Sequence, residues 1–387
     1  MLAIDLLRGV AVLAVLVTHL PFSWSSTLVR GAANPESALP QIVTQVSDFG
    51  HFGVGLFLVI SGFCIHLRWA RRPDTRDFVT FWRRRLTRLY PPYVAALLAS
   101  LAGLFVVFGL LAHGTGAGAF GYGAFSDMAG DVASLLLLVQ NTNNASQAVG
   151  NGPFWTIALE EQLYILYFVL LIVRPRLGWT WTLGAVTAIS LAWRTAPLLT
   201  PTPFGDHWVG LGPSRWIEWT LGALAVEAYF GLVRLPQWCR SARVAAATTI
   251  VAVFVNLSPQ DPPARVFGDA VFGLAFFLWV NVAVRLERSG VLGRIASARA
   301  LAGVGLFSYS LYLTQEPVIV ATKQLLLRLG LTPGTWQGAA IIVGRFAVAI
   351  VVAYIFYRVV ERQFIELSRR VKEPIRPTST PVEKPSA

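Results

Sequence analysis

Residues 338–356 read Gly338-Ala339-Ala340-Ile341-Ile342-Val343-Gly344-Arg345-Phe346-Ala347-Val348-Ala349-Ile350-Val351-Val352-Ala353-Tyr354-Ile355-Phe356, nineteen residues with one charge. A helix at the surface of a soluble protein keeps a polar face toward water, and this run has none. At about 1.5 Å per residue it covers the roughly 30 Å of a bilayer core. Comparable apolar runs fall near 2–22, 47–68, 91–112, 154–174, 179–199, 214–232, 243–257, 266–284 and 301–327, besides 338–360 itself. They predict an all-α, polytopic integral membrane protein of about ten transmembrane helices, the seventh of them short. Composition agrees: of 387 residues, 55% are hydrophobic and 13% charged, where a soluble domain carries about a quarter charged. Mean hydropathy is +0.58. A soluble enzyme is excluded.

The net charge of +12 raises the question of nucleic acid, which needs basic residues on a solvated face. Their placement answers it. The alternating loops 68–88, 174–176, 234–243, 285–299 and 358–384 hold 24 of the 32 Lys and Arg residues, the bias that keeps loops in the cytoplasm. Both termini are therefore expected in the cytoplasm, the protein in the cell (inner) membrane, and no nucleic-acid partner. The first span carries Asp5 and Arg8 in place of the basic leader of a signal peptide and is read as retained. The apolar stretch in Asp131–Val139 is too short to cross and reads as a re-entrant or surface segment, and the glycine-rich Gly114–Gly123 as a flexible loop. The chain divides into a membrane domain, 1–367, and a tail, 368–387, whose Pro, Ser, Thr and charge content predicts disorder. Cys64 and Cys239 offer no metal-ligand spacing and no disulfide pair, and no metal is expected.

Ionised groups inside a span cost about 2.5–3.5 kcal/mol on insertion scales and need a partner or a task. Arg8 and His19 are eleven residues apart, close to three helical turns, and so share a face about 16 Å apart in depth. Asp5 can pair with Arg8 from the preceding turn. The pair reads either as a snorkelling cation beside an interfacial His, or as a cation and a proton-accepting imidazole in one cavity. Trp155-Thr156-Ile157-Ala158-Leu159-Glu160-Glu161-Gln162-Leu163-Tyr164 puts two carboxylates at the start of span four, with Glu160, Tyr164 and Tyr167 on one side. In the loop Phe81-Trp82-Arg83-Arg84-Arg85-Leu86-Thr87-Arg88-Leu89-Tyr90-Pro91-Pro92, Arg85 and Arg88 are spaced to lie side by side. Such a pair anchors to lipid headgroups or grips a phosphate bidentately. Ser308-Tyr309-Ser310-Leu311-Tyr312-Leu313-Thr314-Gln315-Glu316-Pro317 is too polar to face lipid, and a break is expected near Pro317.

Taken in order, these stretches resemble the acyltransferase family 3 membrane proteins. Ile4-Asp5-Leu6-Leu7-Arg8-Gly9 with His19 is similar to the family's Arg-then-His signature, and Gly53-Val54-Gly55-Leu56-Phe57-Leu58-Val59-Ile60-Ser61-Gly62-Phe63 to its second-span motif. The Arg85/Arg88 segment, the Trp155–Tyr164 stretch, Tyr309-Ser310-Leu311-Tyr312-Leu313 and Val360-Glu361-Arg362-Gln363-Phe364 follow in family order. The resemblance implies O-acyl transfer, most often acetyl, from cytoplasmic acyl-CoA to a hydroxyl of a sugar, surface polysaccharide, lipid or small natural product. Acyl-CoA is then a co-substrate and no tightly bound cofactor is implied. It makes His19 and Glu160 the catalytic residues, with Arg8, Arg85 and Arg88 holding the donor. Trp155, Tyr164, Tyr309 and Gln315 become substrate contacts. Gln315 stands where many relatives have His, and Ala158 lacks a hydroxyl that the family's tryptophan motif carries. The competing function is a transporter or flippase of a lipid-linked sugar, with Arg8, Glu160, Glu218 and Arg345 along its path. A third is an assembly protein whose polar residues only pair helices.

Overall fold

The computed structural model describes residues 1–19, 49–71, 77–104, 125–258, 261–328 and 335–371. Secondary structure among them is all helix. Helices α1 (Leu2–Thr18), α2 (Gly53–Arg71), α3 (Phe78–Leu104) and α4 (Phe125–Leu136) precede α5 (Trp155–Leu199) and α6 (Trp216–Tyr229). There follow α7 (Ala242–Val255), α8 (Pro262–Arg288), α9 (Ala296–Leu306), α10 (Ser308–Arg328), α11 (Thr335–Phe356) and α12 (Arg362–Arg370). Among the described residues, Phe49–Arg71, Gly152–Leu199, Pro262–Arg288 and Val343–Arg370 are long and apolar enough to cross a membrane. The chain is an integral, multi-pass membrane protein. Segment 114–123 and the tail from Lys372 lie outside the described residues.

Expected spans four and five form one helical stretch interrupted at Gly178, whose φ of 70° suits a residue without a side chain. The interruption turns the chain back, because Arg194 near the end of α5 lines the same cavity as Trp155 at its start. Span nine departs from expectation. Its interruption falls at Phe307, between α9 and α10, and Pro317 lies inside α10. Proline removes the N–H that would bond the carbonyl four residues earlier. That carbonyl, of Leu313, accepts instead from the Asn151 side chain at 2.8 Å, so the helix continues without an orphaned acceptor. The Arg-rich segment expected as a loop is also helical, since α3 runs unbroken from Phe78 through Pro91 and Pro92.

At the centre, α2 crosses α6 and α1 crosses α9 at backbone contact. A Cβ on Gly62 would overlap the Trp219 carbonyl, and one on Gly222 the Val59 carbonyl. Gly9 stands likewise over the Leu301 carbonyl, and Gly305 over that of Asp5. Lipid-embedded helices associate through such small-residue contacts, because there is no hydrophobic drive between them. Gly222→Val forces α2 and α6 apart and is expected to cost at least about 1–3 kcal/mol. A lowered midpoint of thermal unfolding would report it. Gly303→Ala, where a Cβ meets nothing within 4 Å, should leave that midpoint unchanged.

Most buried charges are paired. Arg194 and Arg215 clasp Asp269 at 2.5 and 2.6 Å, and Arg215 also reaches Glu218 at 2.7 Å. Glu227 takes His66 Nε2 at 3.0 Å, Trp179 Nε1 at 2.7 Å and the Arg174 guanidinium. Arg345 donates to the Ile319 carbonyl and to Thr322 at 3.1 Å. Glu218 and Arg345, two of the four residues a transport path would use, are thus held by protein partners.

Candidate functional site

Arg8 follows from the register of α1. Glu287 accepts from the amides of Leu2 and Ala3 at 2.8 and 3.1 Å, fixing the start of the helix, where a carboxylate is favoured. Asp5 then sits 3.5 Å from Arg8, as the i, i+3 spacing predicts. The other face of Arg8 meets α2, where its Nη2 lies 3.3 Å from the Cys64 sulfur. Arg85 and Arg88, one turn apart on α3, line the same cavity of about 200 Å³. The Arg85 guanidinium lies 5.1 Å from the centre of the Tyr164 ring and 5.9 Å from that of Phe81, a cation–π seat. Arg88 Nε is buried without a partner among the described residues.

Glu160 and Glu361 supply the cavity's carboxylates. Glu160 accepts from Ser61 Oγ at 2.7 Å. Glu361 arrives by a wide turn, the π-helical Tyr357–Glu361, and accepts from Ser310 Oγ at 2.5 Å and Ser310 N at 3.2 Å. Such turns insert an extra residue and recur at functional sites. Neither Arg85 nor Arg88 forms an ion pair with a carboxylate among the described residues. With Arg8 paired to Asp5, the cavity holds two guanidinium groups without an ion pair among the described residues, beside two carboxylates already bonded to hydroxyls, an arrangement that can accept a polyanion such as a phosphorylated ligand. On its far wall, Thr156 Oγ1 and Tyr312 OH lie 2.6 Å apart, with the Pro153 carbonyl in reach of both at 3.1 and 3.0 Å. Tyr309 lines the cavity and donates to the Leu89 carbonyl at 2.9 Å.

A second cavity, of about 260 Å³, meets the start of α5 from the other side. Trp155 lines it while Thr156, Ile157 and Glu160 line the first, so the opening turns of α5 stand between the two. Its walls include the paired Arg194, Arg215 and Asp269, with Asn144, Ser146 and His207. Ser146 Oγ is buried and has no partner among the described residues. The 205–210 turn is held in place by stacking of Trp208 on Trp193, centroids 4.0 Å apart, and by each indole N–H bonding the other's carbonyl.

The residues expected from sequence fall into distinct places. Arg8, Arg85, Arg88, Glu160 and Tyr309 share the first cavity, and Trp155 faces the second. Tyr164 is buried behind the wall, under Arg85. Gln315 is buried on α10 with both amide atoms unpartnered among the described residues. His19 caps α1, half-buried, about 16 Å along the axis from Arg8. Cys64, Ser61 and Glu361 also line the first cavity, and the sequence alone assigns them no role there. Glu361 had a usable signal, a carboxylate next to an apolar run.

This is a helical membrane protein with a cation-rich internal cavity. The profile of an acyltransferase domain, that of acyltransferase family 3, matches residues 1–358, and the chain belongs to that family of acyltransferases. It is 26% identical over 344 residues to the acyltransferase MdmB of Streptomyces mycarofaciens, covering 84% of each chain. It is 23% identical over 373 residues to the peptidoglycan O-acetyltransferase OatA of Listeria monocytogenes, covering 90% of this chain and 53% of that one. With the putative peptidoglycan O-acetyltransferase YrhL of Bacillus subtilis the identity is 25% over 409 residues, covering 95% and 56%. The chain thus spans about half the length of OatA and YrhL. No solved structure matches it.

Proposed function

We propose that this acyltransferase moves an acyl group, acetyl in the simplest case, from cytoplasmic acyl-CoA to a hydroxyl of a sugar, polysaccharide, lipid or small natural product. The observation that carries the reading is the convergence of Arg8, Arg85 and Arg88 on one cavity. Coenzyme A bears several phosphates, which guanidinium forks bind well. With the phosphates at that cavity, the pantetheine arm extends along α1 toward His19, and both termini lie in the cytoplasm. His19 takes the proton from the acceptor hydroxyl as its oxygen attacks the thioester carbon. The carbon–sulfur bond then breaks and the proton passes to the departing thiolate. Should His19 itself carry the acyl group, the same balance holds in two steps. Glu160, fixed by Ser61, stands on the wall between the cavities and orients the reacting groups. The acceptor enters from the Trp155 side, against an indole face with neutral amide and hydroxyl groups.

Labelled acetyl-CoA tests this in membranes containing the full chain. Label is expected in an alkali-labile ester on a hydroxyl compound, and the His19→Ala variant is expected to form none. Movement of a lipid-linked sugar across the bilayer without ester formation would contradict the proposal. Trp155→Ala is expected to raise the acceptor KM about tenfold or more, the loss of one aromatic face, while the slow hydrolysis of acetyl-CoA stays at its wild-type rate. A fall in hydrolysis instead would place Trp155 with the donor.

A further inference from the structure

Away from both cavities, a small pocket of about 90 Å³ opens between α2, α6 and α8 at the end of the bundle where arginines concentrate. Arg240, Arg285 and Arg288 line it with Asn281. Arg240 ends the 3-10 turn before α7, and Arg285 donates to its carbonyl at 3.1 Å. Arg288 donates to the Tyr229 carbonyl and stacks on that ring, 4.0 Å from its centre. Protein contacts thus hold Arg285 and Arg288 in place without neutralising them. Among the described residues none of the three arginines forms an ion pair with a carboxylate. The flanking acids are committed elsewhere: Glu227 to His66, Trp179 and Arg174, and Glu287 to the first amides of α1.

An apolar groove runs between α7 and α8. It starts at Arg243 and continues over Val244, Ala247 and Val251, with Val271 and Leu274 opposite. Leu274, Asn281 and Arg288 recur every seven residues on α8, so the groove and the arginine pocket lie along one side of that helix. Val251 is 53% exposed and Leu274 38%, as suits side chains that meet an acyl chain.

We propose that this is a binding site for one anionic phospholipid. Its headgroup phosphate sits among Arg240, Arg285 and Arg288, and an acyl chain lies along the α7–α8 groove. Three guanidiniums without an ion pair among the described residues, on the same side of α8 as an apolar groove, complement a phosphodiester that carries hydrocarbon. A whole coenzyme A needs more room than the arginine pocket gives, and a free phosphate makes no use of the groove. The site is independent of the acyl-transfer reading.

Native mass spectrometry of the full chain in detergent tests it, with dioleoylphosphatidylglycerol and dioleoylphosphatidylcholine as probes. Phosphatidylglycerol should bind the wild type in preference to phosphatidylcholine. The R240Q/R285Q/R288Q variant should lose about a hundredfold of that affinity, and R240Q alone about fivefold. Arg240 is exposed, and its side chain makes no hydrogen bond among the described residues, so R240Q decides the matter if the triple variant does not fold. Millimolar pyrophosphate or coenzyme A should not displace the lipid. Equal binding of the two lipids, or undiminished phosphatidylglycerol binding by R240Q and the triple variant, would overturn the proposal. Displacement by pyrophosphate would make the pocket a soluble-anion site and overturn it as well.

Discussion

Replacing Arg85 and Arg88 together by alanine is expected to weaken acetyl-CoA binding by a factor of about a hundred or more. A hydrogen bond to a charged group contributes about 1.5–3 kcal/mol, so losing two guanidiniums removes about 3–6 kcal/mol, or two to four decades of affinity. Among the described residues Arg88 Nε is buried and unpartnered, and Arg85 is supported by aromatic rings in place of a carboxylate. Among the described residues, removing either leaves no carboxylate newly without an ion pair. The variant should therefore fold, its principal structural loss being the cation–π contacts, about 0.5–2 kcal/mol. An Arg85→Lys/Arg88→Lys variant keeps the charge but loses the planar fork, and should fall between wild type and the alanine variant. Calorimetric titration in nanodiscs gives the three affinities. Equal affinities would remove the donor from this cavity.

The second large effect concerns His19. In the proposed mechanism its imidazole serves the reacting thioester, about 16 Å from the phosphate-binding arginines. His19→Ala should accordingly leave acetyl-CoA affinity within about a factor of two while turnover falls about 10²- to 10⁴-fold, the range for loss of a general acid–base group. The two arginine positions give the opposite pattern, so the pair of variants separates binding from chemistry. Full turnover in His19→Ala would end the assignment. It would turn attention to Glu160, or to the Thr156 and Tyr312 hydroxyl pair on the wall of the arginine cavity.

How far the sequence could be read depended on whether a feature was local. Apolar runs announced the helices, and the spacing of Arg85 from Arg88 announced their common side, because helical periodicity carries both. Residues 81–92 read as a cytoplasmic loop because clustered arginines mark the cytoplasmic end of a span. At the edge of an apolar bundle their long stems pack while the head groups turn into a cavity or toward headgroups, and α3 stays helical. The break expected at Pro317 failed for a non-local reason, since Asn151 takes up the Leu313 carbonyl from 162 residues away. Glu361 was legible as a motif residue and as a carboxylate next to an apolar run, but not as part of the cavity. Its place in the cavity needs the π turn and Ser310, which no period in the sequence reveals. The Trp155 cavity likewise assembles from α5, the 141–152 segment, the 206–215 segment and Asp269 of α8. None of these alone suggests a site.

The central claim is that the Arg8, Arg85 and Arg88 cavity receives the phosphorylated end of an acyl-CoA. The most direct measurement is equilibrium binding of acetyl-CoA to the purified wild-type protein in nanodiscs, with coenzyme A and pantetheine as competitors. Saturable binding of acetyl-CoA is predicted, displaced by coenzyme A and not by pantetheine, which lacks the nucleotide and its phosphates. No measurable affinity for acetyl-CoA or any longer acyl-CoA, or equal displacement by pantetheine, would contradict the account.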